Sequence, residues 1–230
     1  MSYTTRQYAA YAAIAVGVMG IIVYGILSPA PPSFNPLDAM MMPVRSAEMC
    51  TPPPLLAHSV APEAKLTYRI LASASSDVVS ADACVRRAFD IWNKVLHTEN
   101  TKIEFIYEPD ARQQTNLVVS FAALPEQTGG AITQVRRGND GYLNSVGILI
   151  NNNKHTTSSC LGYYKITLHE IGHVLGLGHP IHFEANNESS VMNNMEEPND
   201  RSNEIPEVPT VCDVEQVRVA SAAPRFAVSQ

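Results

Sequence analysis

From about residue 62 onward, apolar side chains recur with two periods, and each period predicts an element. Leu66 to Ala72 (LTYRILA) reads as a strand. Val85, Ala88, Phe89, Trp92, Val95 and Leu96 return at steps of three and four, which predicts a helix with one apolar stripe and Ser80 as its N-cap. Strand-like runs follow at Ile103 to Glu108, Leu117 to Leu124, Ala131 to Arg136 and Val146 to Ile150, with the turn formers Gly129-Gly130 and Gly138 to Gly141 between them. Tyr164, Leu168, Ile171 and Leu175 predict a second helix, and Cys212, Val214, Val217 and Val219 a short C-terminal one over 210–222. Strand, helix, several strands and two further helices make an α+β domain.

Residues 1–61 follow neither period. Tyr8 to Leu27 is mostly apolar, and no charged side chain occurs from Gln7 to Leu37. Wound as a helix, that run reaches roughly 30 Å, the thickness of a bilayer's hydrocarbon core. Tyr8, Tyr11 and Tyr24 lie near its ends, and the flanking Arg6 favours an N-terminus left inside. Residues 1–27 are therefore expected to be a transmembrane signal-anchor. The alternative is a signal peptide cut after Ser28-Pro29-Ala30, although Pro31 would then follow the scissile bond. The first alternative gives a single-pass membrane protein with an extracytoplasmic domain, the second a secreted one. Residues 28–62 hold nine of the sixteen prolines, a density that disfavours helix and sheet interior, so 28–61 is expected to be an extended stalk; the alternative is an ordered arm lying across the domain, tied down through Cys50. The domain is expected over 62–222, with 223–230 a tail.

With 45% hydrophobic and 17% charged residues among 230, the chain is neither disordered nor fibrous. A formal net charge of -6 leaves no basic face for a phosphate backbone, so no nucleic-acid partner is expected. Cys50, Cys84, Cys160 and Cys212 contain no CxxC pair, which excludes a cysteine-built zinc knuckle or a thioredoxin-like redox motif. Outside the cytoplasm they are disulfide candidates, with three pairings open.

The second predicted helix carries the chemistry. Residues four apart share a helix face, so His169 and His173 can present two imidazoles to one ion. Glu170 can reach a water at that ion without being a ligand. Gly176 can take the left-handed conformation that ends a helix, letting the chain turn back and deliver His179 as a third ligand. Three protein nitrogens with an open fourth position mark a catalytic zinc site rather than a structural one. His58, His97, His155 and His182 read as ordinary polar histidines.

The run His169 to His179 resembles the extended zinc signature of the metzincin peptidases, HExxHxxGxxH, and Ser190-Val191-Met192-Asn193 resembles the Met-turn that follows it. Within that clan the chain is most similar to the matrixins. Ala88-Phe89-Asp90-Ile91-Trp92-Asn93 resembles the AFxxW segment of their first helix, and Ile103 to Phe121 their paired strands. The resemblance covers roughly residues 62–220. It implies a twisted, mostly parallel sheet with an antiparallel edge strand above the cleft, two long helices, and a small C-terminal subdomain ending in a helix. It also implies Met192 as an apolar floor beneath the zinc. Because matrixin catalytic domains dock their N-terminal end near the last helix, it favours Cys50 with Cys212, leaving Cys84 with Cys160. Three features depart from the family: Cys50 lacks cysteine-switch flanks, the histidine-rich loop for a second zinc is missing, and Asn194 is not the tyrosine of an astacin-type fifth ligand.

The expected activity is zinc-dependent hydrolysis of peptide bonds in a protein or peptide substrate, with Glu170 as general base. An extended substrate is expected to add to the sheet edge at Ala131, Ile132 and Thr133. The same ligands would also serve hydrolysis of a non-peptide amide such as cell-wall material, or an idle membrane-tethered binding protein. Between residues 184 and 215 the chain carries nine acidic side chains and one basic, Arg201, which suits a solvated face, calcium (Ca2+) loops or a preference for basic substrates.

Overall fold

The computed structural model of the chain describes residues 52–71, 78–110, 115–125, 130–152, 159–180, 190–193 and 206–222. The apolar run at 8–27, residues 28–51 of the expected stalk, most of the acidic 184–215 stretch and the 223–230 tail lie outside them. No helix among the described residues is long and apolar enough to cross a membrane.

Five strands form one sheet: β1 (Lys65–Ile70), β2 (Glu104–Tyr107), β3 (Leu117–Ala122), β4 (Ala131–Arg137) and β5 (Leu143–Asn151), in the order β2-β1-β3-β5-β4. The β1–β2, β1–β3 and β3–β5 ladders are parallel, while β4 runs antiparallel to β5 at the sheet's edge. The helices are α1 (Val78–Thr98), α2 (Cys160–Val174) and α3 (Val211–Ala222). This is the expected α+β arrangement with a mixed sheet.

The differences lie at element ends. β5 starts at Leu143, ahead of the apolar run at Val146, because β4 supplies ladder bonds as far as Arg137↔Leu143 whatever the side chain. α1 is already helical at Val78, so Ser80 lies within its first turn instead of capping it. In α3, Cys212, Val214 and Val217 are buried, but Val219 is 43% exposed and Ala220 takes the inward position.

The α1 stripe supplies much of the core. Val85, Ala88, Phe89, Trp92 and Leu96 are buried, and Phe89 stacks on Tyr68 of β1 with ring centroids 3.8 Å apart. The Trp92 indole N–H, fully enclosed, donates to the Leu168 carbonyl at 2.9 Å and so ties α1 to α2. Truncation of Trp92 or Phe89 to alanine is expected to cost about 3–5 kcal/mol. A Cys84–Cys160 disulfide joins the same two helices, one of the two pairings favoured above. Cys212 is also disulfide-bonded; Cys50 lies outside the described residues.

One expectation needs correction. The last part of the proline-rich stretch is not a spacer: residues 52–60 form an ordered arm against the domain. Leu55 bridges Leu177 in antiparallel fashion and Ser59 bridges Tyr142 in parallel. Ser59 and Val60 are both 1% exposed. Proline keeps this segment extended, and its carbonyls and remaining N–H groups then pair with the turn that ends α2 and with the β4–β5 hairpin.

Candidate active site

α2 starts at Ser159, whose hydroxyl accepts a hydrogen bond from Gly162 N at 3.1 Å. Its end is a Schellman turn. Gly176 takes φ +96°, Gly176 N donates to His173 O at 3.0 Å and Leu177 N to Gly172 O at 2.9 Å. A residue with a Cβ at Gly176 would meet His58 O at 2.6 Å, so glycine is required here by both conformation and space.

The turn brings the three histidines together. Among the described residues, His169, His173 and His179 form a group able to hold a metal, each offering an atom within 4.8 Å of the others. His179 Nε2 lies 2.9 Å from His169 Nε2 and 3.1 Å from His173 Nε2. The other ring nitrogens of the first two are committed: His169 Nδ1 donates to Val191 O at 2.7 Å and His173 Nδ1 to Leu177 O at 2.8 Å. Both rings thus turn an unprotonated Nε2 to the centre. Burial first, and then the neighbouring His173 and His179, push His169 down to about 3, and burial also lowers His173. Neutral imidazole nitrogens converging at about 3 Å repel one another unless a cation lies among them. Tetrahedral zinc with bonds of about 2.0–2.1 Å spaces its nitrogens by roughly 3.3 Å, so this donor set fits zinc.

Glu170 is 6% exposed and does not join the histidine group. Its Oε2 accepts a hydrogen bond from the Thr133 hydroxyl of β4. Burial pushes its carboxyl up to about 7, against the opposing pull of that hydroxyl. Ala131, Thr133 and Val135 are half-buried while Ile132, Gln134 and Arg136 are exposed, so alternation turns Thr133 toward α2 and Ile132 away from it.

Met192 is fully buried against α2, and a Cβ at Gly172 would fall 2.1 Å from its sulfur. The turn that carries it is anchored from α3. Asp213, wholly buried, accepts from the Ser190 hydroxyl, Val191 N at 3.3 Å, Thr210 N at 2.8 Å and Thr210 Oγ1 at 2.8 Å. Burial raises the Asp213 carboxyl and these donors pull it back. Val191 O in turn accepts from His169, so the chain of contacts runs from α3 to one of the three histidines.

His58, Thr133 and Asp213 gain parts that their sequence positions did not assign. For Asp213 a local signal existed: Thr210-Val211-Cys212-Asp213 is a capping-box pattern at the head of α3, and Asp213 N returns a bond to Thr210 Oγ1 at 3.3 Å. His58, read as an ordinary polar histidine, contacts His173 through its backbone carbonyl, at 2.7 Å from His58 Nε2. Burial lowers its pKa.

The Matrixin family model, of peptidase family M10, matches residues 59–212, more than half of the chain. The chain belongs to the matrixin family. No curated protein matches it. A matrixin is a zinc metalloendopeptidase acting on protein or peptide substrates, and the His169, His173 and His179 group is the place where this matrixin can hold its catalytic Zn2+.

Proposed function

We propose that this matrixin cleaves extended segments of protein outside the cytoplasm, tethered by its N-terminal apolar run, with Glu170 as general base and β4 as the substrate's docking strand. The observation that supports this best is the Thr133–Glu170 hydrogen bond, which sets the site's buried carboxylate between the three histidines and an edge strand. Among the described strands β4 pairs with β5 alone and forms the edge of the sheet, the place where a strand can be added.

His169, His173 and His179 would hold the zinc through Nε2. When bound, that ion supplies Lewis acidity and lowers the pKa of water to near 7. Glu170 accepts a proton from the attacking water and delivers it to the departing amine nitrogen as the C–N bond breaks. Thr133 holds Oε2 of that carboxylate, leaving Oε1 for the water. Met192 closes the floor and excludes solvent from beneath the histidines. Backbone groups of Ala131, Ile132 and Thr133 orient the substrate chain across the site.

The test compares full-length wild type with Glu170→Gln, assaying zinc content and cleavage of an unfolded protein and of cell-wall material. Cleavage of protein alone, abolished by Glu170→Gln with zinc retained, supports the proposal. Cleavage confined to cell-wall material, or undiminished in Glu170→Gln, contradicts it. Fractionation of cells making the full-length chain tests the tether: recovery in the membrane with its N-terminus intact is expected, and a soluble form lacking residues 1–27 would overturn it.

A further inference from the structure

We infer that the arm at residues 54–59 braces the zinc site, with His58 as a positioning residue that holds metal ligands in place through their backbone. The inference rests on the zinc reading above and adds to it a segment mostly upstream of the family match, which begins at residue 59.

His173 and His179 are separated by the turn 174–178, and three of that turn's residues pair with the arm. Leu56 N donates to Gly176 O at 2.7 Å, Leu177 bridges Leu55, and Gly178 N donates to Pro54 O at 2.6 Å. His58 Nε2 donates to His173 O at 2.7 Å, beside the bond from Gly176 N to the same carbonyl. The His173 carbonyl, one of the last in the helix, thus accepts from both Gly176 N and the arm, and Leu56 N takes up the carbonyl of Gly176 in the turn that follows. Both glycines have the arm against them: a Cβ at Gly176 would strike His58 O, and one at Gly178 would lie 3.2 Å from Pro54 O. The arm's far end is fixed too, by Leu143 N to Ser59 O at 2.9 Å and Arg137 Nη1 to Ala57 O at 3.0 Å. The relative position of the second and third histidines is thus set by a strand-like segment clamped at both ends.

His58 cannot reach the reacting atoms through these contacts; it acts through the backbone of His173. Loss of an outer partner of a metal ligand typically weakens metal binding by 10–100-fold. The experiment measures the zinc dissociation constant and release rate of the full-length chain by competition with a chromogenic chelator. Wild type is compared with His58→Phe, His58→Gln and Gly178→Ala, each checked for fold by circular dichroism. His58→Phe should raise the zinc Kd by about 10–100-fold through faster release, and His58→Gln, which can place a donor near the Nε2 position, should restore it to within about threefold. Gly178→Ala, which presses on the arm from the other side and leaves His58 intact, should also speed release. Equal Kd and release rate in wild type, His58→Phe and Gly178→Ala would overturn the brace alone, whereas a wild type that takes up no zinc would overturn the metallopeptidase reading beneath it.

Discussion

Gly172 lies directly against Met192: a Cβ on the glycine would fall 2.1 Å from the methionine sulfur and 3.3 Å from its terminal methyl. The helix with two of the histidines and the turn that carries Met192 therefore approach as closely as the absence of one side chain allows. Gly172→Ala should push Met192 out of place at a cost of about 1–3 kcal/mol. Thermal unfolding of Gly172→Ala, Met192→Ala and the double variant gives the coupling. The double variant should be more stable than the sum of the single losses implies, and strict additivity would show that the two residues do not press on each other.

Thr133 is the only described residue whose side chain is hydrogen-bonded to Glu170. Thr133→Val keeps the shape and removes the donor, and kcat should fall about tenfold with KM little changed, the pattern of an interaction lost from the transition state. Thr133→Ser should recover most of the rate. A rise in KM at constant kcat would instead make Thr133 a substrate contact only.

Asp213 gathers four donors in a site closed to solvent. Asp213→Ala removes the acceptor of all four and should cost about 3–5 kcal/mol, lowering the melting temperature by roughly 6–20 °C. Ser190→Ala, which removes one donor, should cost about 1 kcal/mol. Equal losses in the two variants would contradict the network.

Much of this site was legible because its chemistry is local. His169, Glu170, His173 and His179 sit within one helix and its terminal turn, and Gly176 announced where that turn had to bend. The α1 stripe was legible for the same reason. What escaped was built by contacts distant along the chain: His58 and His173 are 115 residues apart. Proline density shows that a segment is extended but not what it lies on, so it left stalk and arm both open and favoured the stalk. The sequence placed Thr133 in a strand at the substrate's edge but did not reveal the carboxylate its hydroxyl meets. Val219 fitted an apolar period, yet α3 buries only one side, and Ala220 occupies that side.

Acid should release the zinc only gradually. Protonated imidazole cannot bind metal, so an ordinary histidine trio would lose affinity steeply below pH 6.5, approaching three orders of magnitude per pH unit. Burial holds His169 near 3, which keeps it in the metal-binding form as the pH falls through that range, and burial lowers His173 below the ordinary imidazole range. The zinc Kd should therefore rise by no more than about a hundredfold per unit near pH 5.5. A slope near three would mean that the ligands titrate as free side chains.

The most direct measurement is the zinc stoichiometry of the full-length chain together with its cleavage of an unfolded protein, before and after chelation and with Glu170→Gln alongside. One zinc per chain, cleavage that is lost on chelation and restored by zinc, and a Glu170→Gln variant that binds zinc yet cleaves nothing are expected. A chain that binds no zinc, or one that cleaves equally well without it or without the Glu170 carboxylate, would contradict this chemistry.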